Sequence, residues 1–293
     1  MRLRLRERVL ELRPGEPLVM GIVNASPESF SDGAGVGSLD EQVARAVAMD
    51  ADLIDVGGES GVTDRPPVAA AEEAARVVPL VERLAAEGIV VSVDTWKAEV
   101  ARAAIDAGAA MINDVSGLIE PGVADACASS GAALVVMHTR ARPKEKAFPG
   151  YEDVMADVLA FLRERMALAR SHGVSEEQLV VDPGPDFAKT PAETVAALRR
   201  LPELREMGRP VLLAASRKDF VGALCGRAPA DRLAGTLAAI GEGVTGGAAI
   251  VRVHDVAATR DFLTVRAALR GEIEVSRELR LDQSLRRQAG SPA

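Results

Sequence analysis

Eight short apolar runs in this 293-residue chain each end in polar or charged side chains. These side chains could together bind and activate a small polar molecule. Carboxylates and amides hydrogen-bond the edge of a heterocycle, whereas Arg, Lys and His hold an anion. Because the carboxyl ends of barrel strands meet at one mouth, residues far apart in sequence can share one pocket there. The residues at the ends of the runs are Asn24, Glu59, Asp94, Asn113, His138, Asp182, Arg217, Lys218, Arg252 and His254.

Acidic and amide side chains end two runs that are neighbours in sequence. Asp94 closes VVSVDTWK at 90–97, and Asn113 with Asp114 closes MINDVSG at 111–117. An Asp in such a place often only caps the next helix. A carboxylate and an amide on adjacent strands nevertheless make a good receptor for an amidine-like edge. A third carboxylate, Asp182, ends its run before the sharp Pro-Gly turn of VVDPGPDFAKT at 180–190.

Cations end the last two runs. Arg217 and Lys218 follow the seventh run. Adjacent cations usually belong to a solvated surface. In a TIM barrel, however, the loops after strands seven and eight commonly bind phosphate. Arg252 and His254 are two residues apart in the eighth run and therefore point to the same side. If that side is the interior, an anion or a carboxylate must lie near the Arg, since burying an unpaired charge is costly.

The loop after the first run leaves two interpretations open. MGIVNASPESFSDG at 20–33 breaks at Asn24 into small and turn-forming residues, and Phe30 interrupts this polar stretch. Ser26 or Asp32 could simply serve as a helix cap. Alternatively, the aromatic ring could close over a planar ligand.

The elements that must position these residues read as alternating strands and helices. Val, Ile and Leu fill the runs without alternation, as is typical of parallel strands covered on both faces. The runs are 18–24, 52–58, 89–94, 111–114, 133–138, 178–182, 211–217 and 249–254, and the segments with helical composition include 41–51, 71–87, 97–107, 152–171, 191–206 and 256–270. This repeat predicts an α/β fold, a single-domain (β/α)₈ TIM barrel. An open doubly wound sheet is less favoured, because no Gly-x-Gly-x-x-Gly follows the first strand.

The chain divides into three parts. We expect a strand or hairpin over 1–17 at the closed end, the barrel over 18–270 and a polar tail over 271–293.

Composition limits the classes of partner. A net charge of −8 argues against a nucleic-acid partner. Cys127 and Cys225 lack metal-binding spacing and suit a reducing compartment. No stretch has the length of a membrane span and the N-terminus lacks a signal-peptide core, so we expect a cytoplasmic protein with no membrane partner.

Eight segments in order carry a resemblance to a known family. NASPESFSDG, DVGGES, VDTWKAEVA, INDVSG, VVMH, VDPGPDFAKT, SRKDF and VRVHDV resemble dihydropteroate synthase, the folate-pathway enzyme targeted by sulfonamides, from about Leu18 to about Leu269. The resemblance implies a barrel that joins 6-hydroxymethyl-7,8-dihydropterin diphosphate to p-aminobenzoate, giving 7,8-dihydropteroate and pyrophosphate, with Mg²⁺ assisting. It also implies a homodimer.

The resemblance further implies roles for individual residues. The pterin would be bound by Asp94, Asn113, Asp182 and Lys218, and the diphosphate by Asn24, Arg252 and His254. Asn24 would also bind the metal, and Arg252, His254 and Lys218 would be catalytic. The p-aminobenzoate site would contain Thr63, Pro66, Phe187 and Ser216.

Several departures from the family pattern leave alternatives open. The family's Glu-Ser-Thr-Arg-Pro-Gly is rebuilt between Glu59 and Pro67, and Asp186 replaces a Gly. The chain could therefore be a pterin-binding paralogue that has lost or changed arylamine condensation, although Arg252 and His254 favour the synthase. A methyltetrahydrofolate-binding methyltransferase shares the barrel and the pterin-binding acids. A metal-dependent barrel hydrolase is disfavoured, because the chain has only three His and its first strand ends without a pair of them.

Overall fold

Within the described residues, ten strands form a two-stranded hairpin and a closed barrel. The structure is a computed structural model that describes residues 1–25, 37–59 and 66–286. Its strands are β1 (Arg2–Leu5), β2 (Arg8–Glu11), β3 (Leu18–Asn24), β4 (Leu53–Gly57), β5 (Val91–Asp94), β6 (Met111–Asp114), β7 (Ala133–Met137), β8 (Leu179–Asp182), β9 (Val211–Leu213) and β10 (Ala248–Val253). Strands β3 to β10 follow one another around the barrel in parallel, and β10 pairs with β3 to close it. The TIM barrel expected from the sequence is therefore confirmed.

Helices cover the outside of the barrel. In the described residues they are α1 (Leu39–Ala48), α2 (Ala70–Ala86), α3 (Ala98–Asp106), α4 (Gly122–Ser130), α5 (Val154–Ser171), α6 (Pro191–Arg199), α7 (Asp219–Cys225), α8 (Leu233–Gly246) and α9 (Val256–Leu269). Their apolar faces pack on the outward residues of the strands, so that Val77, Leu80 and Leu84 of α2 are fully buried. This burial explains why the strands are apolar on both faces.

The N-terminal hairpin closes one end of the barrel. Strands β1 and β2 pair antiparallel. Leu3 and Leu5 are buried in one cluster with inward residues such as Met20, Met111 and Ile250. The Leu/Arg alternation at the start of the chain thus places Leu inside and Arg outside, as a hairpin at the closed end requires.

Two predicted elements end earlier in the structure than in the sequence interpretation. The helix expected over 191–206 stops at Arg199 and a 3₁₀ helix follows at Leu201–Met207, because Pro202 cannot donate a helical hydrogen bond. The strand expected over 211–217 stops at Leu213, and Arg217 has φ 55°, a left-handed conformation that no strand contains. Helices α4, α7 and α8 lie outside the six segments named above as helical.

The strand register brings four mouth residues to one level. Asn24 is paired in register with Gly57, Gly57 with Asp94, and Asp94 with Asn113. One level below, Ile22, Asp55 and Ser92 form the next inward row. Side chains of one row point to the same side of the sheet, so the inner wall of the mouth is polar above an apolar base.

No helix in the described ranges combines the length and the apolar character that a membrane crossing needs.

Candidate active site

Arg252 of β10 is the centre of a polar cluster inside the barrel, in which Asp55 and Asn113 are buried and Arg252 and Asp94 are partly exposed. Its Nε donates to Asp55 Oδ2 at 2.6 Å, and its Nη2 donates to Asp94 Oδ2 at 3.0 Å. Asn113 Nδ2 donates to the same Asp55 oxygen at 3.1 Å. One guanidinium therefore connects β10 to β4 and β5, and Asp55 extends the connection to β6.

The attraction between the Arg252 guanidinium and two carboxylates explains why this cluster can lie inside the barrel. Burial alone would lower the pKa of the Arg252 guanidinium, but the carboxylates of Asp55 and Asp94 raise it. Burial raises the pKa of Asp94 to about 7, while Arg252 opposes that rise. The counter-charge that the sequence required for a buried Arg252 is supplied by two carboxylates of the protein itself.

Sequence reasoning missed Asp55, which is fully buried. Its Oδ1 and the Oδ1 of Asn113 are buried acceptors without a hydrogen-bond donor in the described part of the chain. Buried acceptors are normally satisfied, so a pair of open ones beside the mouth suits a ligand that donates N–H groups. The available signal was a carboxylate in the middle of an otherwise apolar strand.

Asp182 forms a second acidic position at the end of β8. Its Oδ1 accepts a hydrogen bond from the Gly184 amide at 2.6 Å, and burial raises its pKa to about 6. Gly184 has φ 63°, and a Cβ there would lie 2.1 Å from the carbonyl oxygen of His138. Only Gly fits this turn, so the Asp-Pro-Gly sequence fixes the carboxylate at the mouth.

Lys218 and Phe187 form one side of the mouth. The Lys218 ammonium lies 4.3 Å from the centre of the Phe187 ring, a cation–π contact. Burial lowers the pKa of Lys218, while Asp186 and Asp182 act in the opposite direction. The extra charge of Asp186 is used locally, since its Oδ2 accepts from the Phe220 amide at 3.2 Å in the first turn of α7.

His254 and Ser216 form the other side. Ser216 Oγ lies 2.9 Å from His254 Nδ1 and accepts from the His254 amide at 3.2 Å. The neighbouring Arg217 pairs with Asp255 at 2.9 Å instead. The two adjacent cations of the sequence thus make separate contacts, Lys218 with Phe187 and Arg217 with Asp255.

The remaining predicted residues differ in their placement. Asn24 is partly exposed at the level of Asp94, and Pro66 is exposed. Thr63 lies outside the described residues, as do Ser26, Phe30 and Asp32.

His138 does not join the pocket expected at the strand ends. Its Nε2 lies 2.8 Å from Asp157 Oδ2, and its ring packs edge-on against Phe161 of α5 with centroids 5.1 Å apart. Strand residues alternate, so the residue after the inward-facing Met137 points toward the helices. The expectation that His138 shares the mouth with the other strand-end residues is therefore wrong.

Comparisons with known proteins agree with this geometry. A family profile described as pterin binding enzyme matches residues 20–254. The dihydropteroate synthase of Synechocystis sp. is 40% identical over 258 residues, covering 86% of this chain and 89% of the relative. The chain belongs to the dihydropteroate synthase family.

Solved structures of this family resemble the barrel closely. The dihydropteroate synthase of Xanthomonas albilineans with 4-aminobenzoic acid has a TM-score of 0.84 at 45% identity, covering 92% of this chain and 98% of that chain. The same enzyme in complex with 7,8-dihydropteroate has a TM-score of 0.81 at 44% identity, covering 92% of this chain and 99% of that chain. The resemblance proposed from eight sequence segments is thereby confirmed.

Proposed function

We propose that this chain is a dihydropteroate synthase, a transferase that joins 6-hydroxymethyl-7,8-dihydropterin diphosphate to p-aminobenzoate and releases pyrophosphate. The observation that carries the proposal is the hydrogen-bonded cluster of Arg252, Asp55, Asp94 and Asn113 at the mouth of a barrel of this family. The relatives bound to 4-aminobenzoic acid and to 7,8-dihydropteroate support the same substrates.

The pterin is bound by Asp94, Asn113, Asp182 and Lys218. A pterin presents ring N–H and amino donors along one edge, which carboxylate and amide oxygens accept. The open Oδ1 of Asn113 supports this role, and Asp55 adds a second open oxygen below it. Lys218 approaches the oxo and N5 side from above Phe187.

The diphosphate is held by Arg252, His254 and Asn24. The leaving group departs from an exocyclic methylene on an electron-rich ring, so positive charge on the carbon is delocalised and no nucleophilic residue is needed. Cations placed in advance stabilise the negative charge that grows on the departing oxygen. Because Asp55 and Asp94 fix the Arg252 guanidinium, little reorganisation accompanies this step.

Asn24 is the residue that would hold Mg²⁺. No group of three or more His, Cys, Asp and Glu side chains suited to a metal occurs within residues 1–25, 37–59 and 66–286. Mg²⁺ needs only one or two protein oxygens besides phosphate and water. Asn24, partly exposed at the level of Asp94, offers one such side-chain oxygen. When bound, Mg²⁺ supplies charge neutralisation to the diphosphate.

The arylamine is placed by Phe187 and Ser216, with Pro66 and Thr63 as further contacts. Phe187 is half-buried beside Lys218 and offers an aromatic face. A sulfonamide that imitates p-aminobenzoate would compete for this position, and orientation of the amine toward the methylene supplies the second part of catalysis.

We also propose a cytoplasmic homodimer. Large apolar side chains are exposed on α9, where Val265 is 59% and Leu269 is 84% exposed, and this face supports self-association. Cys127 and Cys225 are both free thiols, in keeping with a reducing compartment. Light scattering coupled to size exclusion tests the dimer.

Pyrophosphate release from the pterin diphosphate with Mg²⁺, measured with and without p-aminobenzoate, tests the function. Release that depends on p-aminobenzoate establishes the synthase. Release without that dependence shows that capture by this amine has been lost. Tight pterin binding with no release at all contradicts the proposal and identifies a binding paralogue.

A further inference from the structure

Lys189, in the loop between β8 and α6, is a buried cation that the proposed mechanism does not use. It is 1% exposed and is the largest of the fully buried side chains in the described residues. A charge in such a place is costly unless its hydrogen bonds are satisfied. Its environment therefore indicates what it does.

Three acceptors surround the Lys189 ammonium. Nζ lies 2.7 Å from His138 Nδ1, 2.9 Å from the Gly184 carbonyl oxygen and 3.1 Å from the Phe187 carbonyl oxygen. Burial lowers the pKa of Lys189 to about 7, whereas nearby Asp182 and Asp157 raise it. Three contacts match the three N–H groups of the charged form, so the geometry favours an ammonium.

His138 is fixed in one tautomer by its two neighbours. Its Nε2 faces the carboxylate of Asp157, which only accepts hydrogen bonds and is itself held by two bonds from Arg140. The proton therefore lies on Nε2, and Nδ1 accepts from Lys189. Burial lowers the pKa of His138 to about 3, which agrees with a neutral ring. The chain Lys189, His138, Asp157 and Arg140 thus ties the loop after β8 to the loop after β7 and to α5.

The backbone that Lys189 holds is conformationally unfavourable. Gly184, Asp186 and Ala188 have φ of 63°, 66° and 52°. These values lie in the left-handed region of the backbone, which residues other than Gly rarely adopt. The Phe187 amide bonds back to the Gly184 carbonyl at 3.1 Å, which makes a tight turn. Both carbonyls bound by Lys189 belong to this turn, so the ammonium stabilises a segment that local preferences would not.

Phe187 depends on this anchor more than Asp182 does. Asp182 lies in β8, where its carbonyl accepts from the His138 amide at 2.9 Å as part of the strand pairing. Phe187 lies in the turn, and its ring position under Lys218 follows from the backbone that Lys189 holds.

We propose that Lys189 is a positioning residue that fixes Phe187 for the arylamine by holding the turn at 184–187 against His138. This inference rests on the proposed synthase function, which gives Phe187 its role. Lys189 itself does not touch the substrates.

The test compares Lys189→Met with wild type in the full chain. Met fills a similar volume without donors, so hydrogen exchange of the backbone amides over 183–190 should become faster by about tenfold while other regions change little. The KM for p-aminobenzoate should rise roughly tenfold. The KM for the pterin diphosphate should rise less, because Asp182 is also held by the strand pairing of β8.

Leu84→Ala is the matched control. Leu84 is fully buried on α2, outside the loops of the mouth, and its truncation destabilises the whole fold. A general loss of stability should leave the KM for p-aminobenzoate unchanged in this variant. A similar rise in both variants would show that Lys189 acts only through stability.

Two results would overturn the proposal. One is wild-type exchange over 183–190 in Lys189→Met, and the other is a KM that rises equally for both substrates. If Lys189→Met fails to fold, His138→Leu is the second variant, because it removes one of the three acceptors of Lys189. Exchange over 183–190 should then become faster by a smaller factor, and unchanged exchange in His138→Leu would also overturn the proposal. Exchange needs no turnover, so an inactive wild type would contradict the proposed function and leave the exchange result to decide the role of Lys189.

Discussion

The Nη2 atom of Arg252 lies 3.0 Å from the Oδ2 atom of Asp94, inside the barrel. The guanidinium proposed to hold the diphosphate is therefore also the counter-charge of the acid proposed to bind the pterin, and one substitution should affect both halves of the substrate. A second carboxylate, Asp55, holds the same guanidinium from the other side.

Arg252→Met should destabilise the fold as well as lower turnover. Removing one partner of a buried ion pair typically costs about 3 kcal/mol, because the carboxylates of Asp55 and Asp94 remain without their cation. The loss should shrink as pH falls from 7.5 to 5.5, since unpaired buried carboxylates take up protons and lose their charge. Urea denaturation at the two pH values measures the destabilisation and its dependence on pH.

The control for this prediction is Arg83→Met, in an exposed pair with Asp40 at 3.0 Å. Exposed pairs contribute little, so its unfolding free energy should change by less than about 0.5 kcal/mol. Equal losses in the two variants would show that the Arg252 cluster does not stabilise the fold.

Gly184→Ala should be much more harmful than Gly208→Ala. The two glycines have similar backbone angles, with φ of 63° and 65°. A Cβ at Gly184 meets the His138 carbonyl, whereas nothing lies within 4 Å of a Cβ at Gly208. Both variants carry the left-handed penalty of about 1 kcal/mol, and only Gly184→Ala must also move the turn beside Asp182.

Thermal unfolding and calorimetric titration with a pterin check this comparison. Gly184→Ala should lose both stability and pterin affinity, and Gly208→Ala should lose only a little stability. Normal pterin affinity in Gly184→Ala would show that the turn does not position Asp182.

Asp182→Asn should stabilise the ligand-free protein at pH 7.5 while it abolishes pterin binding. The pKa of Asp182 is raised to about 6 in the fold, above the unfolded value of about 3.9. The folded state therefore binds this proton more tightly, and the associated stability is present below about pH 4 and lost as pH rises through 6. A neutral Asn avoids the loss, which is worth roughly 3 kcal/mol.

Binding follows the opposite pH dependence. In the proposed function Asp182 and Asp94 both accept from the pterin when ionised, and their pKa values are raised to about 6 and about 7. The wild-type kcat/KM for the pterin diphosphate should therefore begin to fall near pH 7 and fall further below about 6. Urea unfolding of both proteins, with the wild-type pH profile, tests the pair of effects. An Asn variant that is less stable at pH 7.5 would contradict the assignment of the raised pKa to Asp182.

The sequence predicted the barrel well because burial on both faces leaves a strong local record. The runs that became β3, β4, β6 and β10 have nearly the same limits in the structure. Loop ends were harder to predict, since their conformation depends on distant partners. Asp186 illustrates this, because the sequence showed only an added charge, whereas the fold uses it to bind the Phe220 amide.

The site was predicted less completely for a related reason. Asp94, Asn113 and Arg252 were found because each sits at a strand end, but Asp55 sits within a strand and was not considered. Its importance arises from the closure of the barrel, which brings β10 back beside β3 and carries Arg252 to it. The carboxylate within an apolar strand was visible in the sequence, but no local pattern near position 55 shows which residue it pairs with.

Ser216→Ala should separate two roles for this hydroxyl. Ser216 Oγ lies 2.9 Å from His254 Nδ1 and accepts from the His254 amide at 3.2 Å, so the hydroxyl holds the imidazole in place. If Ser216 acts through His254, its loss misplaces an imidazole that stabilises the leaving diphosphate. Then kcat should fall about tenfold, and the KM for p-aminobenzoate should stay unchanged.

If Ser216 contacts the arylamine instead, the KM for p-aminobenzoate should rise while kcat at saturation is kept. Ser216→Thr retains the hydroxyl and should keep kcat near the wild-type value in either case, so initial rates over a grid of both substrate concentrations decide between the roles.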